Sequence, residues 1–191
     1  MKKQTKIIIA IVAIIAVVAI ILAIVVLNMQ PKTNLKPIET AEDLSQLIEE
    51  VYEGQDNLLS SLNTTIVETS DANSVQAVTG LENGDSLEFL AVSEPMMSSQ
   101  AYSFVLAKVK DGVDANNIAK MMSEQINPAK WICVSAEKIY ATSSGDVVCL
   151  VMASEEWAKP IYEKFKQLAG SIGQEYEKTE SDFSSVDPME Q

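Results

Sequence analysis

The chain reads as an α+β protein in which one N-terminal transmembrane helix is followed by a small, largely antiparallel sheet with helices packed on one face. Three observations predict this. Residues 7–27 are an unbroken apolar run, the remainder mixes helix-period with strand-period segments, and the best strand candidates come in pairs joined by turns rather than by helices.

Ile7 to Leu27 contains only Ile, Val, Ala and Leu, and as a helix it reaches roughly 31 Å, the hydrocarbon thickness of a bilayer. Inside lipid a helix satisfies every backbone polar group within the segment, so helix is the conformation expected. Lys2, Lys3 and Lys6 make residues 1–6 a basic leader, and the positive-inside rule keeps that leader in the cytoplasm with everything after the span outside. The exit, Val25-Val26-Leu27-Asn28-Met29-Gln30-Pro31, has neither an Ala-x-Ala site nor a lipid-accepting Cys, so an uncleaved anchor is expected rather than a removed signal peptide. Ala19 and Ala23 have small-x-x-x-small spacing, although alanine is also an ordinary apolar filler.

Composition narrows the chemistry. The chain carries a formal net charge of −13, and residues 28–191 hold 11 of its lysines against all 27 acids. Such a domain repels polyanions and has no basic patch for nucleic acid. No histidine is present, which removes the commonest general base and most transition-metal sites. No arginine is present either, so no bidentate phosphate or carboxylate clamp exists.

Residues 28–38 hold two prolines and no apolar period, and read as a linker. Residues 39–170 form the extracytoplasmic domain. Thr40 with Asp43 begins a capped helix whose stripe is Leu44, Leu47, Ile48 and Val51, ending at Gly54. Leu58 to Val67 is open between a further helical turn and a strand. Asp71 to Thr79 is a short helix stopped by Gly80. Ser86–Val92 and Ala101–Val109 are strands expected to pair antiparallel across a turn at Ser93-Glu94-Pro95. Asp114 caps a helix with Ile118, Met121, Met122 and Ile126 on one face, halted by Asn127-Pro128. Trp131–Val134 and Lys138–Thr142 follow as strands, then a hairpin turn at Ser144-Gly145 into Val147–Met152, whose continuous apolar character suits burial on both faces. The last helix presents Trp157, Ile161, Phe165 and Leu168 and stops at Gly170, with Pro160 at a kink or in the first turn. Residues 171–191, acidic and apolar-poor, are expected to be a disordered tail. These elements predict four or five strands.

Cys133 and Cys149 are a candidate disulfide in a compartment that permits one, yet each sits among apolar neighbours as an inert core thiol would. The pairs Met96-Met97 and Met121-Met122 offer thioethers to cuprous copper, while the second pair falls where a helix needs its core face. Asp111 to Asn117 resembles the start of a calcium loop, but its twelfth position is Met122 rather than glutamate, so a turn and N-cap explain it. Tyr102, Ser103 and Lys108 share a strand without an orienting group. No catalytic residue, cofactor or metal ligand set is expected.

Glu94-Pro95-Met96-Met97, the run SFVLAKVKDGVD from Ser103 to Asp114, KWICVSAEKIY from Lys130 and GDVVCLVM from Gly145 together resemble a domain-of-unknown-function family of uncharacterised extracytoplasmic proteins. Its members are lipoproteins or single-pass anchored proteins of Clostridia-like Gram-positive bacteria. The resemblance covers about residues 94–170 and implies a strand, helix, hairpin and helix in that order; it carries no catalytic residues. The function expected is a cell-membrane protein whose non-enzymatic domain binds another envelope or secreted protein. The alternatives are a small hydrolase working through Asp and Glu carboxylates and a ligand-binding sensor module.

Overall fold

The computed structural model describes residues 33–56, 59, 61–97 and 99–183. The expected leader and transmembrane helix, with Lys2, Lys3 and Lys6, lie outside the described residues, as do the first part of the linker and the end of the tail. Among the described residues no helix is long and apolar enough to cross a membrane. The chain divides into Met1–Pro31 and Lys32–Gln191, and the fold below belongs to the second unit.

Helix α1 (Ala41–Tyr52) begins at the expected capping box, in which the Asp43 N–H donates to Thr40 Oγ1 at 3.3 Å and the Thr40 N–H donates to Asp43 Oδ2 at 2.7 Å. The segment left open between helix and strand is β1 (Leu62–Ile66), where Thr64, Thr65 and Ile66 favour the pleated conformation. Asp71 caps α2 (Ala72–Thr79), which ends at Gly80 with φ +78°. A Cβ there would strike the Ile126 backbone nitrogen, so glycine both turns the chain and lets α2 approach the end of the next helix. Strands β2 (Leu87–Pro95) and β3 (Ser103–Val109) form the expected antiparallel pair. Helix α3 (Ala115–Gln125) starts on the Asp114 cap. Strands β4 (Lys138–Ser144) and β5 (Val147–Ala153) form a hairpin over Gly145-Asp146, with Gly145 at φ +59°. Helix α4 (Glu155–Ala169) runs through Pro160, and β6 (Tyr176–Thr179) and the single turn α5 (Glu180–Phe183) close the described chain.

The six strands make one antiparallel sheet in the order β1-β2-β3-β5-β4-β6. Strands β3 and β5 lie side by side at its centre, with Phe104 opposite Val151 and Leu106 opposite Cys149. Alternation then sorts the core. Val105, Ala107, Val148, Leu150 and Met152 face α2 and α3, whereas Phe104, Leu106, Cys149 and Val151 face α1 and α4.

Helices therefore cover both faces, which corrects the expectation of helices on one face. The physical reason is visible in β3 and β5, where both alternating sets are apolar and each needs a cover. The sheet also has six strands, because one segment left open between helix and strand and one expected to be disordered both join it. The first is β1. The second comes from the supposed tail, where Tyr176–Thr179 pairs with β4 from Ala141 to Lys138 and Tyr176 packs against the core. The end of the supposed linker is likewise part of the domain: Ile38 is buried, the Asn34 N–H donates to the Ala169 carbonyl at 2.8 Å, and the Thr33 and Ser144 hydroxyls are hydrogen-bonded at 2.8 Å.

Phe104 is fully buried between the central strands and α1, with its ring centroid 5.8 Å from that of Tyr52. Phe104→Ala is expected to cost about 3–5 kcal/mol of unfolding free energy in urea titrations, the range for truncating a buried aromatic.

Candidate functional site

At the end of the sheet where β2 finishes and β3 begins, Glu94 and Ser103 stand on the face that carries α2 and α3. The loop after α3 crosses above them and lowers Lys130 between the two strands. Lys130 Nζ lies 2.5 Å from Glu94 Oε1, 3.2 Å from the Ala77 carbonyl oxygen and 3.3 Å from Ser103 Oγ. An ammonium group has three donors, and here all three are used. Its cation also sits 5.3 Å from the centroid of the Trp131 ring. This clasp joins β2, β3, α2 and the α3–β4 loop, and it forms one wall of an open cleft of about 500 Å³ between α2, the end of α3 and Trp131.

The clasp decides what the cleft can do. Ser103 is fully buried and its hydroxyl accepts from an ammonium, which has no lone pair with which to draw the hydroxyl proton. Ser103 and Lys108, which share a strand, do not form a Ser–Lys pair. The two are five residues apart on one strand and so face opposite sides, and Lys108 instead pairs with Glu88 at 2.8 Å beside the Phe89 ring. Tyr102, on that second face, is buried with its hydroxyl 3.1 Å from that of Tyr52. Burial pushes the Tyr52 hydroxyl up to about 12 and Tyr102 well above its ordinary value, so both stay neutral.

The two cysteines are free. Cys149 is completely buried in β5, where desolvation raises its thiol well above the ordinary range. Cys133 is exposed in the loop before β4, at φ +62°. The candidate disulfide is therefore absent, because Trp131–Val134 is an irregular loop and not a strand that could present Cys133 to the core. Among the described residues no three Cys, Asp or Glu side chains converge to hold a metal ion. Met122 is core and Met121 is partly buried above it, while Met96 and Met97 are 78 % and 70 % exposed on the β2–β3 loop. Asp114 accepts from the Asn116 and Asn117 amides as an N-cap, with no calcium loop around it.

Trp131 and Trp157 do not meet, since they pack against opposite faces of the sheet. A second groove lies between α4 and β6, where Tyr140 and Tyr162 stack with centroids 5.0 Å apart beneath Glu155, Glu163, Glu175 and Glu177. The Lys166 ammonium holds Glu175 below the usual carboxylate range. The Glu94–Lys130–Ser103 clasp was not foreseen because 36 residues separate its charges and only the strand register joins them. A legible signal existed in Lys130 itself, a cation beside Trp131 in a segment rich in apolar residues.

No family model, curated protein or solved structure matches the chain.

Two substitutions test the clasp. Lys130→Met leaves the Glu94 carboxylate and the Ser103 hydroxyl without their donor and is expected to cost about 1–3 kcal/mol. Adding Glu94→Gln should recover part of that loss, and a double-mutant cycle in urea reads the coupling.

Proposed function

We propose that this is a single-pass, membrane-anchored extracytoplasmic protein whose α+β domain is a non-enzymatic binding module for another envelope or secreted protein. The contact surface is the rim of the Lys130 cleft. One observation carries the reading: three of the four large apolar side chains exposed among the described residues, Met96, Met97 and Ile132, lie on the two loops that leave the Glu94–Lys130 pair. Ile132 is 72 % exposed, in a loop pinned at its base by the clasp. Exposed apolar side chains gathered on one rim above a polar cleft are the pattern of a recognition surface. Within the domain, Thr33 lies beside Gly145, at the other end of β4.

Anchoring through residues 7–27 is supported by the length and purity of the apolar run and by Lys2, Lys3 and Lys6 before it. Hydrolysis through carboxylates has less support. Among the described residues the carboxyl groups that shift, Asp43, Asp71, Glu175 and Asp182, all shift downward, whereas a glycosidic general acid must be held up.

The native cysteines test the address. Cys133 is exposed and Cys149 buried, so a membrane-impermeant maleimide applied to intact cells should add one label, at Cys133. Labelling that appears only after lysis would place the domain inside and end the proposal.

A photo-cross-linking residue at Ile132 tests the rim. It should give a discrete adduct in cells that weakens when Met96→Asp is added, whereas the same probe at exposed Lys120 on α3 should give none. Identical adduct patterns at the two positions would remove the rim as a binding surface.

A further inference from the structure

The two outer strands of the sheet are unlike each other. Strand β6 carries Glu177 and Lys178, with Glu177 tied to Lys138 at 2.6 Å, and charges on an outer strand deter pairing with foreign chains. Strand β1, Leu-Asn-Thr-Thr-Ile, has no charge and no proline. Its hydrogen bonding follows from two contacts: the Met96 N–H donates to the Ser61 carbonyl and the Val67 N–H donates to the Leu90 carbonyl. Antiparallel alternation directs Asn63 and Thr65 toward β2 along with Ser61 and Val67. The N–H and C=O groups of Leu62, Thr64 and Ile66 therefore point outward, and no other described residue bonds to them. Ile66 is the fourth exposed large apolar side chain, at 37 %.

At its far end β1 runs into a groove of about 380 Å³ between the start of α1 and strand β2. Ile66, Val67 and Phe89 lie on its apolar side, and Glu39, Glu42, Glu68 and Glu88 also line it. Glu88 is neutralised by Lys108, while the other three take part in no ion pair with the described residues. An open row of backbone donors and acceptors thus ends in a pocket of unbalanced negative charge.

We propose that β1 receives a seventh strand: an extended segment of a partner protein that pairs with Leu62, Thr64 and Ile66 and places a lysine or arginine in the Glu39–Glu42–Glu68 groove. The backbone of the segment supplies the hydrogen bonds and its basic side chain the register, which is the division of labour in strand addition generally. A basic segment is selected over a second copy of this chain, because the groove asks for a cation and a copy pairing through its own Leu-Asn-Thr-Thr-Ile edge has none to place there. The edge begins beside Met96 but runs away from the Ile132 rim to the Glu39–Glu42–Glu68 groove, and its test reads backbone pairing rather than rim contact.

The test uses the full-length protein in mild detergent and a fluorescent synthetic peptide alternating Lys and Val, about seven residues long. Anisotropy should show saturable binding, and the same peptide with Glu in place of Lys should not bind. Thr64→Pro removes an outward N–H while sparing the β1–β2 ladder, and is expected to weaken binding at least about tenfold. On the peptide side, N-methylation of either the Lys or the Val amides should abolish binding while methylation of the other set is tolerated, which reads backbone pairing without altering the protein. Equal binding of both methylated forms would show charge attraction alone and overturn the proposal, as would the absence of saturable binding. Sedimentation showing a dimer without peptide that Thr64→Pro dissociates would assign the edge to a second copy instead.

Discussion

The fold depends on the side-by-side pairing of β3 and β5. Neither strand presents a polar face: Val105, Ala107, Val148 and Leu150 are fully buried on one side, and Phe104, Leu106, Cys149 and Val151 on the other. Burying a side chain of this size contributes about 1.5–3 kcal/mol, so leaving either face wet would forfeit much of the core. Two helices are therefore required on each side, and they supply stripes of matching character, Val75, Ile118 and Met122 above and Leu44, Ile48, Ile161 and Phe165 below. Because both faces are covered, the sheet presents itself only at its ends and its outer strands.

The two ends of the sheet are used differently. At the β4–β5 hairpin, small polar side chains are consumed in tying down incoming and outgoing chain. Thr142 Oγ1 donates to the Gln174 carbonyl at 3.0 Å, Ser144 Oγ to the Ser171 carbonyl at 2.6 Å, and Ser143 Oγ to Asn116 Oδ1 at 2.9 Å. Asn116 Oδ1 also accepts the Gln174 N–H, and a Cβ on Gly173 would collide with it, so glycine is needed for that close approach. The opposite end is fastened by the Lys130 clasp on one face and the Tyr52–Tyr102 hydroxyl pair on the other, and beyond them the loops expose methionine and isoleucine. One end is spent on closure and the other is left for contact.

How far the residues foretold this arrangement varied with the range of the interaction. Local signals were clear. The Thr40–Asp43 box, the Asp71 and Asp114 caps, Gly80 and the Gly145 turn all act within four residues of themselves and stand where their chemistry places them. What resisted reading depended on partners far along the chain. Tyr176–Thr179 is polar by itself and becomes a strand because β4 offers an open edge. Ile132 and Cys133 have strand-like composition but follow Pro128 on a path set by the Lys130 contact, which turns them outward. The two-sided core was legible in β5 taken alone, and the one-face arrangement erred by not extending that pattern to β3. The clasp itself needed the register of β2 against β3, which no local pattern encodes.

Lysine does the long-range electrostatic work that arginine and histidine would share in another chain. Lys108, Lys130, Lys138 and Lys166 have side chains only 15 %, 16 %, 17 % and 22 % exposed, and each reaches a carboxylate on a different element: Glu88, Glu94, Glu177 and Glu175. Their flexible stems lie along apolar surface while the ammonium finds its partner, a role suited to lysine. Using the cations this way leaves the domain with far more unpaired carboxylates than unpaired ammonium groups, and salt does not screen them fully at contact range. Polyanions and anionic membrane surfaces are disfavoured for that reason, independently of any single site. A neutral apolar partner at the Ile132 rim, or a basic strand on β1, meets no such penalty. The internal economy of charge thus limits the chemistry of the partners the surface can accept.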